Sequence, residues 1–174
     1  MNSRNPHRFL VAVAATLATA LFAIQADADM IVVSATGAAQ GVFKGESTAK
    51  GAVGKALAES VEYELASPRD PATGQPTGKI QHKPVVIEKR SGGTTPQWLA
   101  ALAGNEALTI LVEFYGINAQ GSLVVYQTIK LDSARVASVQ HGADTDGGKD
   151  RISLVYQKLE FTREGLKFNT TWGL

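Results

Sequence analysis

Residues 67–96 read SPRDPATGQPTGKIQHKPVVIEKRSGGTTP, and the changes of texture along this stretch decide the fold. Its first part, residues 67–79, carries three prolines and two glycines among small polar side chains. Proline fixes φ and lacks an amide donor, so neither a helix nor a central strand fits there, and a projecting loop is expected. Pro84-Val85-Val86-Ile87-Glu88 follows as a strand whose proline takes the tolerated leading position. The one helix the sequence predicts then opens, with Thr95 as N-cap and Pro96 as first helical residue. Trp98, Leu99 and Leu102 give it an apolar face and Gly104 stops it. A helix of about two turns does not persist alone, so that face must pack on a sheet.

Outward from this stretch the pattern is strands. Ile31-Val32-Val33 is a first short one, and residues 37–54, rich in Gly, Ala and Ser, read as a turn and an exposed connection. Val61, Tyr63 and Leu65 alternate with Ser60, Glu62 and Glu64, the period of a half-buried strand. Strands are expected at 108–115, 123–131 and 135–140, joined through residues 118–121 and through Asp132-Ser133 as hairpins. A last pair, 152–162 and 166–172, turns at Arg163-Glu164-Gly165. The expected fold class is mainly β, an antiparallel two-sheet β-barrel with one short flanking α-helix.

Several of these strands are apolar on both sides. Residues 108–115 present Leu108, Ile110, Val112 and Phe114 on one face, with Leu111 and Tyr115 on the other. Within a small domain such a pattern calls for a covering element, and one short helix covers only part of it. Self-association is expected on this ground alone.

Composition narrows the function classes. Arg4 and Arg8 precede the apolar run FLVAVAATLATALFAI at residues 9–24, which ends at the small-residue site Ala26-Asp27-Ala28. This is the tripartite pattern of a secretory signal over residues 1–28, too short for an ordinary membrane span, leaving a single domain at 29–174. An uncleaved anchor, or a true start at Met30, are the alternatives. A secreted or periplasmic location follows from the signal, and cytoplasmic assembly before secretion follows from the later start. Beyond residue 28 the chain holds 15 basic and 15 acidic side chains, a balance that gathers neither nucleic acid nor an anionic membrane. It has no cysteine, so stability rests on the core.

Residues for chemistry are few. His82 and His141 are the only histidines beyond the leader, and no Gly-x-Ser-x-Gly elbow occurs, so both read as polar residues at loop edges rather than as bases. Asp144-Thr145-Asp146-Gly147 resembles the opening of a calcium loop, but the twelfth position is Val155 instead of Glu, and a solvated turn is the simpler reading. Gly51-Ala52-Val53-Gly54-Lys55-Ala56 lacks both the spacing and the hydroxyl of a phosphate loop. Asn169-Thr170-Thr171 is read as strand, and Trp98 and Phe114 as core. No enzyme activity, cofactor or metal is expected.

The words of the central stretch, together with Pro96-Gln97-Trp98-Leu99-Ala100-Ala101-Leu102, Val112-Glu113-Phe114-Tyr115, the run from Tyr126 to Val136, Gly45-Glu46-Ser47-Thr48 and Tyr156-Gln157-Lys158-Leu159-Glu160-Phe161, closely resemble the Hcp family. These are the proteins that form the inner tube of the bacterial type VI secretion system. The resemblance implies a barrel that closes into a homohexameric ring, rings that stack head to tail, and effector proteins carried in the lumen beside other type VI components. It also implies a ring-stacking loop made of Pro68, Arg69, Asp70, Thr73, Gly74, Gln75, Thr77, Gly78 and Lys79. A thirteen-residue loop in a small domain usually has a partner, which agrees in kind. The leader, which tube proteins normally lack, keeps two alternatives open: an exported ring protein serving as scaffold or carrier, and a monomeric ligand-binding barrel.

Overall fold

The computed structural model describes residues 30–145 and 147–172, with the side chain of Asp144 left aside. The expected signal at 1–28 lies outside the described residues, as do the acidic turn's Asp146 and the side chain of Asp144. Among the described residues no helix is long and apolar enough to cross a membrane.

The chain runs β1 (Met30–Gly37), β2 (Gly41–Val42), β3 (Ala56–Glu62), β4 (Leu65–Ala66), β5 (Gln81–His82), β6 (Val85–Arg90), α1 (Thr95–Ala103), β7 (Leu108–Ile117), β8 (Leu123–Asp144), β9 (Gly147–Val155), β10 (Lys158–Arg163) and β11 (Leu166–Thr171). Strands β8, β7, β1, β3, β6 and β9 pair in that order, and β9 pairs with β8 again. This closes an antiparallel barrel of the expected class, with one helix among the described residues, and leaves no edge within the barrel ring itself.

Closure depends on β8. Residues 132 and 133 do not turn the chain back as a hairpin; they form a bulge inside one long strand, with Ser133 at φ 50 and a register shift opposite Leu108 and Ile110. The bulge bends β8, so that its first half pairs with β7 and β10 and its second half with β9. Opposite the bulge, the expected strand 152–162 is broken at Tyr156 and Gln157, where Gln157 donates its amide to the Asp132 carbonyl. On one side of this break β9 pairs with β6 and completes the barrel. On the other side β10 pairs with β11, which leaves as an extension. The sheet forks here.

The interior holds Val33, Ala35, Val85, Ile87, Ile110, Val112, Ile129, Leu131, Ile152, Leu154, Tyr156 and Leu159. Helix α1 adds Trp98 and Ala101, with the Trp98 ring edge-on to Phe43 at 5.0 Å. Leu99, expected on the buried face, is 45% exposed; Ala101 takes its place at the helical spacing from Trp98. The N-cap position falls at Thr94 rather than Thr95 and makes no side-chain capping bond, while the Thr95 hydroxyl accepts from the Gly92 amide at 3.0 Å.

The segment between β2 and β3 is less exposed than its composition implied. It sends Phe43 into the interior, and lays Ala52 over Val32 and Tyr115 on the opposite face of the sheet. Its Gly45 is required, since a Cβ there would stand 2.2 Å from the Lys55 carbonyl.

Candidate functional site

The proline-rich stretch between β3 and β6 folds as a hairpin-like ribbon. Strands β4 and β5 pair through Leu65 with His82 and Ala66 with Gln81, and beyond them Arg69 bridges to Pro76. The Thr77 amide donates to the Pro68 carbonyl at 2.9 Å and the Arg69 guanidinium to the Gly74 carbonyl at 2.9 Å. At the tip the Asp70 carboxylate accepts from the Thr73 amide (2.7 Å), the Thr73 hydroxyl (2.9 Å) and the Ala72 amide (3.0 Å). Those bonds, the Thr73 amide first, hold the Asp70 carboxyl below its ordinary range. Gly74 turns the chain at φ 70, where a side chain would be strained.

Of the nine residues assigned to the loop, the ribbon therefore brings Pro68, Arg69, Asp70, Thr73, Gly74, Gln75 and Thr77 into one bonded unit. Gly78 lies against the Pro68 ring, and Lys79 stands lower, lining a cleft at the ribbon's root. Every residue of 71–81 is exposed. A segment ordered by its own bonds and turned wholly to solvent is shaped for contact with another molecule.

Residues that reasoning from the sequence set aside sit at the root. His82 Nδ1 lies 3.1 Å from the Tyr156 hydroxyl and Nε2 lies 3.2 Å from the Thr170 hydroxyl. Trp172 stacks on the His82 ring at 5.7 Å. Burial, aided by nearby Tyr63, pushes the Tyr156 hydroxyl up to about 12, so it stays protonated. These partners are 74 and 88 residues from His82, and no local pattern announces them.

A second polar cluster ties β6, α1, β8 and β9 together. Asp150 accepts from Lys89 at 3.0 Å, Ser91 at 2.6 Å and Thr95, and meets His141 Nδ1 at 2.8 Å. Burial works against the Asp150 charge, yet the bonds from His141, Ser91, Thr95 and Lys89 prevail and hold its carboxyl below the usual range. Serine, histidine and aspartate meet here without the geometry of a hydrolytic relay. That relay needs the acid and the nucleophile on opposite ring nitrogens, whereas Ser91 and Asp150 both address Nδ1. The cluster is a structural cross-link. Lys55, from the glycine-flanked stretch, is likewise engaged, paired with Glu113 at 2.7 Å. Across β3, β6 and β9, Glu59 pairs with Arg90 and Lys149 at 3.1 Å each, and Arg151 bonds Glu88, so charges on this exposed face neutralise one another.

The fold recurs in known proteins. A secreted protein Hcp3 from Pseudomonas aeruginosa superposes with a TM-score of 0.71 at 23% identity, covering 84% of this chain and 100% of its own. A doubly substituted Hcp1 from E. coli EAEC 042 pathovar gives 0.76 at 21% identity, covering 83% and 99%. At these identities the likeness is one of fold. The "Major exported protein" of Pseudomonas aeruginosa is 32% identical over 149 residues, 75% of this chain and 87% of that protein. The profile of the family described as "Type VI secretion system effector, Hcp" matches residues 33–162, and the chain accordingly belongs to the Hcp family.

Proposed function

We propose that this chain, a structural tube subunit of the type VI secretion system, assembles as homohexameric rings whose stacking builds the tube and whose lumen carries effector proteins. The observation that carries the reading is the ribbon: nine candidate contact residues on one ordered projection, exposed from residue 71 to residue 81, off a barrel that is otherwise closed. A stacked ring is a heterologous contact, which needs a projecting surface on one face and a receiving one on the other. Self-association is supported by exposed apolar residues at the ends of two neighbouring hairpins, Ile117, Leu123 and Val125 on β7 and β8, and Leu166 and Phe168 on β11.

Electron microscopy of the purified protein tests the assembly. Rings that lengthen into tubes support it; particles of single barrels contradict it. Removing residues 73–78 should abolish tubes and leave rings, because the tip is remote from the barrel wall.

The leader favours a second reading in which the ring is exported and acts as a periplasmic or extracellular carrier. With the signal removed after Ala28 the mature domain is 29–174, and with a start at Met30 it is 30–174. A mature N-terminus at Asp29 in the periplasm supports export through the signal, and a cytoplasmic chain starting at Met30 supports assembly before secretion.

A further inference from the structure

The ribbon is held to the barrel through few contacts. Among the described residues β4 and β5 pair only with each other, so the barrel sheet's ladder does not extend into them. A two-stranded ribbon is marginal by itself. Beside its root lies a cleft of about 870 Å³, bordered by Lys79, Ile80 and Gln81 on one side and Thr170, Thr171 and Trp172 on the other. That cleft is room into which an unrestrained ribbon would swing.

His82 spans the gap at the point where the sheet forks. Its ring meets Tyr156, at the break between β9 and β10, and Thr170, on β11, one through each nitrogen. In a neutral imidazole one nitrogen donates and the other accepts, and a hydroxyl does either, so both bonds are satisfied together. Three rings then pack on each other: His82 on Trp172 at 5.7 Å and 23°, His82 against Tyr156 at 5.7 Å and 60°, and Tyr156 against Trp172 at 5.3 Å and 69°. The anchors are fixed in turn. Tyr156 is fully buried, and the Trp172 amide donates to the Gln157 carbonyl at 2.8 Å.

We infer that His82, Tyr156, Thr170 and Trp172 form a clasp that sets the angle at which the ribbon leaves the barrel, making them positioning residues for the contact between rings. The inference rests on the stacking role proposed above. A ribbon already held at its docking angle loses little freedom when it meets the next ring, whereas a swinging one must be ordered at each contact. The clasp joins the ribbon to the fork, so the contact it bears on first is the one the ribbon makes.

The chain has no cysteine of its own, so two introduced at Gln75 and Gln120 accept spin labels cleanly. Diluted into unlabelled protein, the labelled chain reports the ribbon-to-barrel distance distribution by electron–electron resonance. His82→Ala and Trp172→Ala should broaden it about twofold, and Trp172→Phe, which keeps a stacked ring, should restore it. Thr170→Val removes one bond at a half-buried strand position and should broaden it without threatening the fold. Distributions as narrow in His82→Ala and Thr170→Val as in the parent overturn the clasp. Tubes that persist after removal of residues 73–78 overturn the stacking role instead, and the distance measurement reads the clasp independently of that result.

Discussion

Lys89 Nζ and Asp150 Oδ2 lie 3.0 Å apart with their side chains 1% and 0% exposed, an ion pair sealed between β6 and β9. Removing one partner strands the other's charge in the interior. Asp150→Ala should therefore lower stability by about 3–5 kcal/mol, read from urea unfolding. Replacing both residues by apolar ones of similar volume should cost much less. The Asp150 carboxyl is held below its ordinary range, so its contribution is complete above that range and drains away as pH falls from it toward the depressed value. Acid titration of the parent should keep this stability through about pH 4, where ordinary carboxylates protonate.

Tyr156 gives the opposite slope. Its ordinary value of 10.0 is raised to about 12, so folding favours the protonated form. That contribution is full below pH 10 and drains away as the pH climbs toward 12. Urea midpoints followed over this alkaline range should fall in the parent, and Tyr156→Phe should flatten the decline. An equal decline in both proteins would place the effect elsewhere.

The β10–β11 turn holds Glu164 at φ 50 and Gly165 at φ 82, the two positive angles of a type I′ hairpin. Asparagine tolerates the first position better than glutamate. The Arg163–Glu164 pair that would be lost is 3.9 Å apart and exposed, and contributes little. Glu164→Asn should stabilise the protein by about 0.5–1 kcal/mol in thermal unfolding.

Asp70 organises the ribbon tip through its three accepted bonds. Asp70→Ala should speed tryptic cleavage after Arg69 and Lys79 while global stability changes by less than about 0.5 kcal/mol, since the tip is outside the core. A large loss of global stability would show that the tip is part of the cooperative fold.

Local signals carried much of this architecture. Pro96, Trp98 and Gly104 marked the helix, and residues 67–79 marked the projection, because proline and glycine constrain the backbone wherever they stand. Asp132-Ser133 misled for a related reason: these residues favour turns, and only the pairing of β8 on both edges reveals a bulge in a continuous strand. The break at Tyr156 and Gln157 was hidden because no proline or glycine marks it. The two polar clusters, around Asp150 and around His82, join residues from distant strands. Their existence follows from strand order, which alternation along a single strand does not contain.

Native mass spectrometry of the chain from Asp29 onward, at micromolar concentration and near-physiological salt, tests the central claim of self-assembly most directly. One dominant species at six times the protomer mass is expected, and a persistent monomer would overturn the ring.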